Sequence, residues 1–222
     1  MTKNERSFYS RRMNAAVRPT KGEETRAQIL AAAVEQASET GFESLTIGTL
    51  AERTGLSKSG LFAHFGSKLE LQLAALDEAA RQYTEAVFMP ALKAPRGLKR
   101  LRALFENWVG WPGAVRLPGG CPIDAASREY AHHPGPMRDA VLDRQKSLDR
   151  ELGRAVQLAI DTGELAPDTD PRQIAFELIA IVLGCFRSEL LFGAEEARLR
   201  ARAAFERLLA DHAASAAVSH HR

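Results

Sequence analysis

Residues 45–68 read LTIGTLAERTGLSKSGLFAHFGSK, and the folding of this stretch decides how the rest of the chain is used. Thr46 is placed to cap a helix running to about Thr54, in which Ile47, Leu50 and Ala51 recur at the i, i+3, i+4 spacing of one buried face. Gly55 accepts a left-handed backbone at low cost and ends that helix. Ser57 then caps a second helix through about Phe65. Leu61 and Phe65 form its inner side and Leu56 packs from the turn, which leaves Lys58, Ser59, Phe62 and His64 pointing outward. Two compact helices joined by a tight glycine turn, the second polar and basic, make a helix-turn-helix, the arrangement that lays its second helix in a DNA major groove.

Working outward, a helix from near Gly22 to Gly41 carries Ile29, Leu30, Ala33, Val34 and Ala37 as one stripe, with Phe42 folding back beyond the glycine. Together with the motif it forms a DNA-binding unit over residues 23–67. Ser67 and Glu70 have the spacing of a capping box, so a long connecting helix begins at Lys68. Its expected stripe is Leu69, Leu73, Leu76, Ala80, Tyr83 and Val87, and Pro90 and Pro95 end it near Met89. Further helices are expected over 98–111 (Leu101, Leu104, Phe105 and Trp108 inward), 122–131, 136–162, 171–192 and 195–213. A proline- and glycine-rich break, WPGAVRLPGGCP, occupies 111–122. The fold class is therefore all-α: an N-terminal three-helix unit joined by the connecting helix to a helical C-terminal domain, the two together over 68–213, with a tail over 214–222.

The 222-residue chain is 45% hydrophobic and 26% charged, ordinary values for a globular protein, and its net charge of +2 says little about partners. The distribution says more. Residues 1–22 hold Lys3, Arg6, Arg11, Arg12, Arg18 and Lys21 against the single acid Glu5. Such an arm either is a solvated tail or follows the DNA backbone or minor groove. Cys121 and Cys185 are too few for a disulfide framework, which fits a reducing cytoplasm. The most apolar run, Leu178 to Phe186, is bounded by Glu177 and Arg187 and falls well short of the roughly 20 residues a membrane span needs. A cytoplasmic protein is the expectation. Because Leu178 to Phe186 is apolar all round, helix 171–192 must be covered all round. A second copy, packed on this helix and on the stripe Ala197, Ala201, Ala204, Phe205 and Leu208, would give a four-helix homodimer interface; a monomer that buries both sides internally is the alternative.

Gly41-Phe42, Leu45-Thr46-Ile47, Leu50-Ala51, Gly55-Leu56-Ser57-Lys58, Leu61-Phe62, His64-Phe65 and Ser67-Lys68, at this spacing, resemble the DNA-binding domain of the tetracycline-repressor-like (TetR) family of transcriptional regulators. The likeness covers about residues 23–70 closely and the remainder only in layout. It implies a non-enzymatic, ligand-responsive dimer, most simply a repressor, that binds a double-stranded palindromic operator and is released by a small hydrophobic effector, with no cofactor and no metal. It further implies that Thr46 meets a phosphate, that Lys58 and Ser59 reach base edges from the start of the recognition helix capped by Ser57, and that His64 and Lys68 contact the DNA backbone. Phe62 stands where the family commonly has tyrosine, which leaves an apolar contact in place of a phosphate bond. Gly60 costs the helix up to about 1 kcal/mol relative to alanine and permits close approach to DNA.

The effector site is expected among the C-terminal helices at Phe105, Trp108, Trp111, Tyr130, Phe176 and Phe186, as an aromatic-lined cavity with few polar groups and the break at 112–120 as its entrance. Three other readings stay open. Cys121, between Gly119-Gly120 and Pro122, suits a redox or electrophile sensor. Glu129 and His132 have the spacing of half a carboxylate-bridged di-iron motif, the mark of a metal-dependent helical enzyme. A constitutive DNA-binding protein without a ligand is the third, and the 130 residues or so beyond the connecting helix exceed what dimerisation alone requires.

Overall fold

The computed structural model describes residues 20–214, all helix and connecting turns, with no strand among them. Helix α1 (Lys21–Thr40) starts from Thr20, whose hydroxyl accepts the Glu23 amide while Glu23 returns a bond to the Thr20 amide. Residues 20–22 thus belong to the helix start and not to the arm; the rest of the expected arm, and the tail beyond Ala214, lie outside the described residues. The motif follows as α2 (Ile47–Thr54), capped by Thr46 and closed by Gly55 at φ 69°, and α3 (Lys58–Phe62), capped by Ser57. Helix α3 is shorter than the expected span to Phe65. The amides of Ala63 and Phe65 still bond back to Ser59 and Leu61, but His64 bonds to Leu61, and the tightened turn swings Phe65 into the core beneath the Arg26 guanidinium, 5.1 Å from its ring centre.

The connecting helix α4 (Lys68–Tyr83) continues through a π-helical turn (Thr84–Phe88) into a last short segment (Met89–Ala91). Ser67 caps it as expected, but the returning Glu70 carboxylate takes the amide of Gly66. Its buried face is Leu71, Gln72, Ala75, Leu76, Ala79, Tyr83 and Val87. The expected stripe was right at Leu76, Tyr83 and Val87 and displaced elsewhere: Leu69 is exposed and Leu73 and Ala80 are half-buried. The displacement has a cause in Gln72, whose side chain is drawn inward by the Phe42 carbonyl at 2.8 Å.

Helices α5 (Leu98–Ala114), α6 (Pro122–Glu129), α7 (Pro136–Asp161), α8 (Pro171–Phe192) and α9 (Ala194–Asp211) complete the chain. Helix α5 passes over Pro112 and ends two residues later, so the break begins at Val115 and not at Trp111. Two apolar clusters result. One joins α1, α2, α3 and the first half of α4 to Ala126 and Tyr130 at α6 and to Met137 and Val141 of α7; the other is built on α5, α7, α8, α9 and the end of α4. The DNA-binding unit therefore shares its core with the following helices. Of the stripe Ala197, Ala201, Ala204, Phe205 and Leu208, expected to meet a second copy, all but the half-buried Ala204 are buried in their own protomer, where Phe205 stacks on Phe105 at 4.1 Å. What remains exposed on α8 and α9 is Phe176, Leu183, Leu190, Leu191, Phe192 and Leu199.

One close approach ties α6 to α1. Gly119 donates its amide to the Ser38 hydroxyl, and a Cβ on it would lie 1.8 Å from the Ser38 carbonyl oxygen. Backbone cannot yield as a side chain can. Gly119→Ala should lower unfolding free energy by about 2 kcal/mol, as overpacking does. Gly110→Ala, where a Cβ meets nothing within 4 Å inside α5, should raise it by about 0.5–1 kcal/mol. Urea titration of both variants checks the pair, and equal stability of the two would contradict it.

Candidate nucleic-acid interface and regulatory cavity

The caps that start α2 and α3 also arrange the outward surface. Thr46, exposed, accepts the Thr49 amide at 3.1 Å; Ser57 accepts the Gly60 amide at 3.1 Å and lies 3.1 Å from the Ser59 hydroxyl. A Cβ on residue 60 would come within 3.2 Å of the Ser57 hydroxyl, so glycine there leaves the serine cap undisturbed. Ser57, Lys58, Ser59, Gly60 and Phe62 share one exposed surface, and Phe62 is 57% exposed although apolar. His64 is half-buried, its ring tilted against Phe65. Lys68 is held in an ion pair with Glu43 at 2.7 Å. Of the eight residues expected to meet DNA, Lys68 is held by an ion pair and His64 packs on Phe65, while Thr46 and Ser57 serve as helix caps.

A cavity of about 800 Å³ opens between α4, α5, α6, α7 and α8. That size suits a small-molecule site. Trp108 and Phe186 line it, as expected, together with Tyr83, Phe88, Ile123, Leu148, Ile179 and Leu183. The other four residues expected there do not. Phe105 is stacked on Phe205 in the core, and Trp111 is fully buried one layer behind the wall, edge-on to Tyr83 at 5.4 Å. Tyr130 belongs to the N-terminal cluster and donates its hydroxyl to Glu43. Phe176 is 65% exposed on the outer face of α8. Tyr83 sits edge-to-face with Phe88, Trp108 and Trp111, which fixes the aromatic wall. Part of that wall is the π-helical turn, a distortion often found at functional sites, and the carbonyl of Val87 within it accepts from Asn107 at 3.0 Å.

The opposite wall overturns the expectation of few polar groups. Helix α7 presents Asp143, Arg144, Gln145, Ser147, Arg150, Glu151 and Arg154 to the cavity, and Asp77, Asp124 and Ser127 add to them. Arg144 is paired with Asp77, Arg154 with Glu151 at 2.8 Å, and Arg150 donates to the Ser147 hydroxyl at 2.8 Å. Sequence alone offers no signal for this wall, because these residues read as the solvated side of a helix that buries Met137, Val141, Leu152, Ala155, Val156 and Ala159 on its other side. Cys121 also lines the cavity, where desolvation, reinforced by the Asp124 charge, pushes its thiol up to about 12. Glu129 places both carboxylate oxygens on backbone amides, of Phe42 at 2.8 Å and Glu43 at 2.7 Å. Among the described residues no three His, Cys, Asp or Glu side chains converge as a metal ion would need.

Comparison with known proteins bears on both halves of this arrangement. Residues 29–75 match the model of bacterial regulatory proteins of the tetR family, and residues 97–205 match that of the tetracyclin repressor-like C-terminal domain. The chain is 30% identical over 196 residues to the HTH-type transcriptional regulator TtgR of Pseudomonas putida, covering 79% of this chain and 85% of that protein. The chain belongs to the TetR family of transcriptional regulators. It is also 29% identical to the HTH-type transcriptional repressor AcnR of Corynebacterium glutamicum, over 77% of this chain and 84% of that one. A TetR-family regulator from Cytophaga hutchinsonii shares the fold, with a TM-score of 0.77 at 20% identity over 90% of this chain and all of its own. In this TetR-family chain, then, α2 and α3 are the helix-turn-helix of the matched DNA-binding domain.

Two outcomes follow from the geometry. Lys58→Ala should cost about 1–3 kcal/mol of DNA affinity, and Lys58→Ala/His64→Ala together should also flatten the salt dependence by about one unit of slope or more; unchanged affinity of the double variant in a salt-controlled titration would contradict the assignment. Alkylation of Cys121 by iodoacetamide at pH 8 should be at least about tenfold slower in the native protein than in the unfolded chain, because the thiolate is the nucleophile. Equal rates would restore the sensor reading.

Proposed function

We propose that this protein is a dimeric, ligand-responsive transcriptional repressor of the cytoplasm. Two copies of the surface Ser57 to Phe62 read the half-sites of a palindromic operator, with Thr46, His64 and Lys68 on the flanking backbone. The observation that carries this reading is a cavity of about 800 Å³ whose wall includes the first residues of α6, a helix that ends on the DNA-binding unit. A molecule entering it displaces α6 or the end of α4 and changes the separation of the two α3 helices, so that DNA is released.

Dimerisation is supported by the apolar face left on α8 and α9, where Phe176, Leu190, Leu191, Phe192 and Leu199 are each 60% or more exposed. Patches of that kind mark interfaces. The cavity, aromatic on one wall and charged on the other, suits an amphipathic effector better than a purely hydrophobic one. The thiol sensor is disfavoured by the raised Cys121 pKa, and the metal enzyme by the commitment of both Glu129 oxygens to amides.

Selection from a random duplex pool should enrich an inverted repeat whose half-sites are centred about one helical turn or a multiple apart. An amphipathic library screened against that complex should then contain compounds that release it. Enrichment of a single asymmetric site would contradict the two-fold reader, and a complex that no compound releases would contradict the effector.

A further inference from the structure

Helix α6 ends on the peptide that links α1 to α2. The two oxygens of Glu129 accept the consecutive amides of Phe42 and Glu43, 87 and 86 residues away in sequence. Bonds from a carboxylate to backbone N–H are charge-assisted and shorter than ordinary ones. They need room. Gly41 has φ 82°, and a Cβ there would sit 2.9 Å from Glu129 Oε1, so the carboxylate fills a space that only glycine leaves. Neighbouring groups complete the grip. The Phe42 carbonyl accepts from Gln72, and the Glu43 carboxylate accepts from Lys68, Gln72 and the Tyr130 hydroxyl, which lowers its pKa, Lys68 contributing most.

The peptide so held lies inside the DNA-binding unit, with α1 before it and the Thr46 cap of α2 three residues after it. Glu129 stands outside the helix-turn-helix and touches none of the residues that face DNA. What it can set is the angle at which that unit leaves the rest of the protomer. In a two-fold dimer this angle fixes the distance between the two α3 helices, and hence the half-site spacing that can be bound.

We propose that Glu129 is a positioning residue for operator recognition, its carboxylate selecting half-site spacing through the amides of Phe42 and Glu43. The proposal rests on the two-fold operator reading given above. Each amide meets its own oxygen, Phe42 on Oε2 and Glu43 on Oε1, so both atoms at the tip of the side chain must accept. Glutamine has the same shape but sets an NH₂ against one of the amides, so Glu129→Gln tests the chemistry with little change in packing.

The test uses the full chain as wild type, Glu129→Gln and Glu129→Ala. Each is titrated with a duplex carrying one half-site and with inverted repeats whose half-sites are moved apart or together one base pair at a time, and each is unfolded in urea. Expected for Glu129→Gln is half-site affinity within about twofold of wild type, a loss of roughly tenfold or more on the best-spaced repeat, and a flattened spacing profile. Glu129→Ala should show the same pattern, more strongly. A Glu129→Gln profile that keeps the wild-type optimum and affinity would overturn the role of Glu129. So would a parallel loss on half-site and repeat that tracks lowered stability, since that is what a purely structural bond would produce. If the wild type itself showed no preferred spacing, the two-fold reading would fall and the proposal with it, a result separable from the other two because it is read before any variant is compared.

Discussion

A single carboxylate accepting two consecutive backbone amides is the constraint on which the arrangement of this regulator turns. The loop after α1 carries the helix-turn-helix, and its Phe42 and Glu43 amides lie against α6, away from the surface that faces DNA. Left without an acceptor, the part-buried Phe42 amide would cost on the order of 1–3 kcal/mol, while the exposed Glu43 amide could turn to water. Glu129 satisfies both, and the Gln72 side chain satisfies the Phe42 carbonyl. The loop is consequently held from α4 and from α6, the two elements that also contribute to the cavity wall.

The cavity and the loop thus share α6. Cys121, Ile123, Asp124 and Ser127 face the cavity, while Glu129 and Tyr130, at the far end of the same short helix, face the loop. Just before the helix, Gly119 approaches the Ser38 carbonyl, so α6 is held to α1 near one end and to the loop after α1 at the other. A rigid body anchored in this way has little freedom to move at one end only. The π-helical turn of α4 gives the second wall a place where register changes, and Tyr83 just before it and Thr84 and Phe88 within it line the cavity.

Much of the fold was legible because its signals are local. Thr46, Ser57 and Ser67 cap the helices they were expected to cap, Gly55 closes α2 with a left-handed backbone, and Leu101, Leu104, Phe105 and Trp108 of α5 point inward as their spacing required. The misses depend on contacts made far along the chain. Gln72 is buried because a carbonyl thirty residues earlier needs a donor, which no helical periodicity reports. Phe105 and Phe176 both looked suited to a cavity, yet one stacks on Phe205 and the other faces out, since the choice of side is made by which helix packs where. The charged wall of α7 reads in sequence as a solvated face. Glu129 and His132 have a metal motif's spacing in sequence only, since α6 ends at Glu129 and His132 lies in the turn beyond; the partners of Glu129 are amides 86 and 87 residues away.

Hydrogen exchange at the amides of Phe42 and Glu43, followed residue by residue by NMR in the free protein, reports most directly on whether this carboxylate governs the DNA-binding unit. Both amides should exchange orders of magnitude more slowly than open loop amides, and Glu129→Gln should accelerate them while leaving the interior of α1 protected. Exchange of Phe42 and Glu43 at the rate of an open loop in the wild-type protein, or unaltered protection in the variant, would contradict the account.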